Sequence, residues 1–132
     1  RIISPSDFGF HNALKIKNGE VIFVDFEYAG WDDPAKLMGD FFHQVDVPIP
    51  MKYFDTFYAA ISSLVKDKDR TIERTRLLFP LYCIKWCCII LNYFVPESRI
   101  AKTFSNEVTQ ALREAQLEKA KLRLLNIDRI IT

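Results

Sequence analysis

The chain has 132 residues, a formal net charge of +1 and eleven Phe, and 49% of it is hydrophobic. That is one domain's length with material for a packed core, which excludes a disordered segment. The near-neutral charge leaves no whole-chain field to hold nucleic acid or an anionic membrane, and neither is expected as a partner.

The chain starts at Arg1 without Met, signal peptide or transit-like segment. Ile2-Ile3 reads as the end of a strand stopped by Ser4-Pro5. The first residue is therefore expected to sit inside a folded unit of a longer protein. A loop runs to Asn12. Ala13 to Lys17 alternates apolar and polar, as a half-buried strand does, and Asn18-Gly19 is a strong two-residue hairpin signal. The return strand covers Val21 to Phe26, and its run Val21-Ile22-Phe23-Val24 predicts burial on both faces.

Tyr28 to Trp31 reads as a loop. Asp32-Asp33-Pro34 is a helix start, an Asp cap with Pro at the first helical position. Leu37, Met38, Phe41, Phe42 and Val45 follow at helical spacing until Pro48 and Pro50. A second helix is expected from Met51 to Lys66, with Phe54, Phe57, Tyr58, Ile61 and Leu64 on one face. Lys66 to Arg70 reads as a solvated charged turn. A third helix over 72–94 is far more apolar: from Leu77 to Val95 only Lys85 is charged. Pro80, Lys85 and Asn92 interrupt it, so a central helix buried by the others is expected rather than a membrane span. Pro96 ends it. A last helix from Phe104 to Leu125 buries a narrow stripe of Val108, Leu112, Ala115, Leu122 and Leu125. The cysteines, Cys83, Cys87 and Cys88, are odd in number and bunched, which argues against a disulfide framework. They read as reduced core thiols of a cytoplasmic protein, and the Met and Phe positions read as core as well.

The residues that carry chemistry lie in the first third. Phosphoryl transfer needs a group to orient or deprotonate the acceptor hydroxyl, and metal ions to neutralise the phosphates. Magnesium takes hard oxygen ligands, one or two from protein, with phosphate and water completing the set. An Asp, an Asn five residues on, a hairpin and a second Asp supply that inventory. Asp7 reads as the base, and Asn12 and Asp25 as the metal ligands. Asp25 ends an apolar strand, where a carboxylate costs free energy unless paired or metal-bound. Counting outward from a turn at Asn18-Gly19 sets Asn12 opposite Asp25. Each has a plainer reading beside it: Asp7 as a turn residue, Asn12 as a cap of the next strand. His11 reads as a residue that fixes the loop. Glu27 and Trp31 follow Asp25 and, with Lys85, are candidates for the substrate side. Lys85 either snorkels to the surface or pairs with Asp40 or Glu27. Asp33 and Asp40 read as structural support, a helix cap and an acceptor for loop backbone N–H groups.

These motifs resemble the aminoglycoside phosphotransferase and choline kinase group of small-molecule kinases, whose pattern is His-Gly-Asp, four residues, Asn. Asp7 and Asn12 match it, as do Asp25-Phe26-Glu27-Tyr28-Ala29-Gly30, Asp32-Asp33-Pro34 and Asp40. The match covers residues 2–42. Pro5-Ser6 stands where that group has His-Gly. Asp7-Phe8-Gly9 spells the metal-binding tripeptide of protein kinases, but the hairpin would then follow the wrong Asp.

The resemblance implies an α+β, mainly helical fold: a protein-kinase-like C-terminal lobe, with a short hairpin packed on about four helices. Residues 1–30 would be the catalytic loop and hairpin and 33–125 the helical scaffold, within one domain, 1–132. It implies transfer of the γ-phosphoryl of ATP, with Mg2+, to a small-molecule hydroxyl of the sugar, aminoglycoside or amino alcohol class. No Gly-rich loop or strand Lys for the ATP base and phosphates stands in these residues; a missing N-terminal lobe would bring them. The alternative is a non-catalytic, pseudokinase-like or helical partner-binding module, which Pro5-Ser6 favours. A nucleic-acid-binding helical domain would need a clustered basic face, and Lys119 to Arg123 is interleaved with apolar residues.

Overall fold

The computed structural model describes residues 1–95 and 110–127. The chain is α+β and mainly helical, with two small two-stranded sheets among the described residues. It packs as two compact units, Arg1–Tyr82 and Cys83–Thr132.

In the first unit, β1 (Ile2–Ser4) leads through the loop and a 3-10 turn, Phe10–Asn12, into the hairpin of β2 (Ala13–Lys15) and β3 (Val21–Phe23). The hairpin loop differs from the expected one. Ile16 N donates to Glu20 O at 2.9 Å and Gly19 N to Ile16 O at 3.0 Å, so Lys17, Asn18 and Gly19 form a three-residue loop. Gly19 has φ 89°, the left-handed residue such loops require. Asn18 Oδ1 accepts from Glu20 N at 3.0 Å and steadies the turn. The pairing is therefore Ala13 with Phe23 and Lys15 with Val21. Val24 N bonds Asn12 O at 2.9 Å, so Asn12 faces Val24 rather than Asp25. One extra loop residue moved the register by one.

Burial on both faces of the return strand is also corrected. Val21, Ile22 and Val24 are exposed and Phe23 is half-buried. A two-stranded ribbon has nothing stacked on its second face.

The segment expected as a loop contains β4 (Gly30–Asp32), which pairs antiparallel with β1. Gly-Trp-Asp carries no alternation of its own, and the pairing comes from β1 across the loop and hairpin. Ile3 and Trp31 are cross-strand partners, each 71% exposed.

α1 (Pro34–His43) starts at the Asp33 cap, whose Oδ1 accepts from Ala35 N at 2.9 Å, with Pro34 at the first position. Nearly all of α1 is buried. Its Gly39 is required by close approach: a Cβ there would lie 2.3 Å from the Tyr82 ring. α2 (Phe54–Ser62) follows a 3-10 turn, Met51–Tyr53, and stops short of Lys66. Ser62 and Ser63 hydroxyls bond back to the carbonyls of Ala59 and Ala60, competing with the helix ladder. Phe8, from the loop, anchors the unit. Its ring lies 4.6 Å from Phe23, 5.5 Å from Phe41 and 6.2 Å from Phe57, and Phe41 stacks on Phe57 at 4.1 Å. Each such pair adds about 0.5–1.5 kcal/mol beyond the burial itself.

α3 (Lys68–Ile90) begins four residues before the expected start, because Asp67 caps it: its Oδ1 accepts from Arg70 N at 3.0 Å. The charged turn is partly the first turn of this helix. With the 3-10 turn Leu91–Phe94 that follows, Lys68–Phe94 is long and apolar enough, by length and composition only, to cross a bilayer. Burial on all sides is not what the structure shows. Thr75, Phe79, Cys83, Cys87 and Ile90 form one buried stripe, while Leu77, Leu81, Ile84 and Cys88 are exposed, Leu77 by 74%.

In the second unit, α4 (Gln110–Leu125) packs on the 3-10 turn Leu91–Phe94. Cys87 Sγ approaches Ala120 O at 3.7 Å and Cys83 Sγ approaches Arg123 O at 3.9 Å. Cys88 is exposed, against expectation, because one residue past Cys87 turns it to another face. Met51, Phe10, Phe26 and Phe94 are likewise exposed. Pro96, Val108 and the expected helix start at Phe104 lie outside the described residues.

Candidate functional site

Asp7, His11 and Asn12 come together on one loop. Asn12 Nδ2 donates to Asp7 O at 2.9 Å and lies 3.4 Å from Asp7 Oδ2. His11 Nε2 lies 3.2 Å from Asp7 Oδ1. His11 Nδ1 is buried without a hydrogen-bond partner. A bare ring nitrogen without a proton fits that pocket better than an orphaned N–H, which puts the proton on Nε2, facing Asp7. Gly9 leaves room for this ring: a Cβ would stand 2.5 Å from Nδ1. The exposed Asp7 carboxylate is thus steadied by two donors and open to solvent on its remaining side.

Asp25 stands one residue past the Val24–Asn12 bond, with φ 65°. Left-handed backbone turns the chain out of the strand there. Asp25 is exposed, so the burial cost expected of its carboxylate does not arise. It makes no side-chain hydrogen bond or ion pair among the described residues. Glu27 is exposed on the loop that follows, and Trp31 is exposed on β4. Lys85 belongs to the second unit, its ammonium 5.8 Å from the Trp86 ring centroid.

Asp33 does two things. It caps α1, and its Oδ2 accepts from Arg74 Nε and Nη2, both at 2.8 Å. Asp40 is 5% exposed, and its Oδ2 lies 3.4 Å from Lys36 Nζ. A buried carboxylate needs such a partner.

Lys36, with Ser4 and Ser6, is the part sequence reasoning missed. Lys36 Nζ bonds Asp32 Oδ2 at 2.8 Å, Ser6 Oγ at 3.0 Å and Ser6 O at 3.2 Å. Burial alone would lower the Lys36 pKa; the Asp32 hydrogen bond, then the Asp40 charge, outweigh it and the pKa rises. Only part of this was signalled: Lys36 and Asp40 lie four apart on one face of α1, whereas Asp32 ends β4, ahead of the helix, and Ser6 is distant in sequence.

Cavities in this unit include two beside these residues. One, about 490 Å3, is walled by Phe10, Phe41, Ile49, Pro50, Tyr53 and Phe57. Phe10 is three residues from Asp7, a span of at most about 11 Å of chain. The other, about 510 Å3, is lined by charged groups including Arg1, Lys66, Arg70 and the paired Asp33 and Arg74. Among the described residues no group of three or more His, Cys, Asp or Glu is placed to hold a metal ion. Asn12 and Asp25 offer oxygen ligands, the type magnesium takes, but the register sets Val24, not Asp25, opposite Asn12. Asn12 and Asp25 do not fit zinc.

Comparison with protein-family models, with curated proteins and with solved structures gives no match to this chain.

Proposed function

We propose that this chain is the catalytic-loop half of a kinase-like phosphotransferase that moves the γ-phosphoryl of ATP to a small-molecule hydroxyl. The observation that carries the reading is the cluster of Asp7, His11 and Asn12, on a loop whose hairpin returns the chain to Asp25. Asp7 takes the acceptor's proton. His11 and Asn12 hold its carboxylate in place. The Asn12 amide spends its nitrogen on Asp7, which leaves its oxygen, with the Asp25 carboxylate, for magnesium. Bound there, magnesium neutralises charge on the triphosphate. The apolar cavity beside Phe10 favours an acceptor whose hydroxyl is carried on a partly apolar body. The residues that grip the ATP base and phosphates belong to a lobe beyond this chain.

The test is paramagnetic broadening by manganese–ATP, read residue by residue. We expect weak binding, no tighter than about millimolar, with broadening at Asn12 and Asp25. Asp25→Ala removes the broadening and Asp7→Asn keeps it. Equal broadening at a remote surface acid such as Glu20 would sink the assignment. Steady phosphorylation of a hydroxyl by residues 1–132 alone would refute the need for a second lobe.

The second reading, a non-catalytic module, is favoured by one observation. The register sets Val24, not Asp25, opposite Asn12. Absence of any nucleotide effect at Asn12 and Asp25 would put that reading first.

A further inference from the structure

Resting on the reading of Asp7 as the group that takes the acceptor's proton, we propose that Lys36 is a positioning residue for Asp7. It clamps the strained turn at Ser6, which sets the direction in which Asp7 leaves the chain.

The turn is a γ-turn. Asp7 N donates to Pro5 O at 2.9 Å, around a central Ser6 with φ 69°. γ-Turns of positive φ are rare and strained. A residue with a Cβ resists the left-handed region, which only Gly, and to a lesser degree Asn and Asp, enter routinely. A non-glycine persists there only when its surroundings over-determine it.

Two side chains do so. Ser4, 1% exposed, accepts from Ser6 N through its Oγ at 3.0 Å. Lys36 holds the other side, on both Ser6 O and Ser6 Oγ. The ammonium has three protons and faces four oxygens, these two and those of Asp32 and Asp40. It therefore ties the loop to the end of β4 and to α1, thirty residues away in sequence. α1 is buried along most of its length and does not yield. Asp7 inherits that rigidity through one residue, Ser6. The hydroxyl has a use as well: it gives Lys36 a second acceptor that a hydrogen at that position would not.

The experiment follows the Asp7 amide by hydrogen exchange and the Asp7 carboxyl carbon resonance by NMR, in Ser6→Ala, Ser6→Gly, Lys36→Met and the Ser6→Gly/Lys36→Met double variant. Ser6→Ala keeps the strain and removes one Lys36 bond. Asp7 amide exchange then rises about fivefold, the effect of one ordinary hydrogen bond. Lys36→Met removes both bonds, raises exchange further and shifts the carboxyl resonance. Ser6→Gly relieves the strain. In that background Lys36→Met changes Asp7 exchange by less than about twofold and the resonance returns toward its native position.

Equal effects of Lys36→Met in both backgrounds would overturn the clamp, since Lys36 would then act on the fold at large. If Lys36→Met does not fold, because the buried Asp40 loses its Lys36 ion pair, Ser6→Ala decides: native exchange at Asp7 there overturns the proposal. None of these measurements needs turnover. A clamp that holds in a chain showing no nucleotide effect removes the phosphotransferase reading alone, and a failed clamp leaves that reading standing.

Discussion

Asn12 and Asp7 close on each other across five residues, the Asn12 amide nitrogen donating to the Asp7 carbonyl at 2.9 Å and standing 3.4 Å from its carboxylate. One side chain thereby fixes both the loop's shape and the orientation of its acid.

Asn12→Ala removes that closure. We expect a loss of about 1 kcal/mol, the net value of an ordinary hydrogen bond, read as a lower denaturant midpoint at unchanged slope. Asn12→Asp sets a second carboxylate beside the first and costs more at neutral pH than at acidic pH, where protonation relieves it. Equal cost at both would show that the two groups do not meet.

Gly39→Ala tests the contact between α1 and Tyr82. Alanine gains about 1 kcal/mol of helix propensity over glycine, yet the new Cβ would lie 2.3 Å from the Tyr82 ring. Overpacking costs about 1–3 kcal/mol, so the net effect is a lower Tm. In a Tyr82→Ala background the same change becomes neutral or stabilising. A cost that persists there would place the strain elsewhere.

Alkaline pH should destabilise the first unit through Tyr82 and Lys36. Burial, then the charges of Asp33, Asp40 and Asp32, push the Tyr82 phenol up to about 12 from 10.0. Between those values the unfolded chain has released the proton and the folded chain keeps it, so raising pH favours unfolding. The raised Lys36 pKa acts in the same sense: its contribution is full below 10.5 and fades as pH climbs through the higher folded value. Denaturation midpoints should be flat to about pH 10 and then fall. Tyr82→Phe should make the fall shallower, and an unchanged slope would remove Tyr82 as a cause.

Thiol labelling should separate the cysteines. Burial pushes the Cys83 thiol up to about 11 and raises Cys87, and both are buried. The thiolate is the reactive form. Cys88 is exposed. A maleimide at neutral pH should modify Cys88 rapidly and the other two only after denaturant is added. Fast modification of all three in the native chain would show that α4 does not cover α3 in the second unit.

Much of the fold was legible where one local signal decided it. Asp33-Pro34 announced the start of α1, and the spacing of Leu37, Met38, Phe41 and Phe42 announced its buried face. The pairing of β1 with β4 was not legible, since Gly30-Trp31-Asp32 has no strand pattern until Ile3 lies beside it. The hairpin's position was clear and its loop length was not, because Asn18-Gly19 suits the last two residues of a three-residue loop as well as a two-residue turn. That single residue is why Asn12 met Val24. The apolar run of α3 promised burial that depends on how many neighbours arrive. Of the candidate site, Asp7 and Asn12 were visible as an offset of five. Lys36 was hidden because a lysine on a helix is ordinarily a surface charge, and its role shows only when Ser6 comes to it from thirty residues away.

The three-residue tip of the hairpin also separates two lengths that are easily taken as one. Strand pairing, anchored at Ile16 and Glu20, fixes where Asn12 and Val24 stand, whatever the chain does beyond that pair. Lys17, Asn18 and Gly19 are exposed, and Gly19 has nothing within 4 Å of a side chain added there. The tip is therefore an insertion port: a tag, a fluorophore or a few extra residues can be spliced between Lys17 and Gly19 while the ladder holds the loop's chemistry in register.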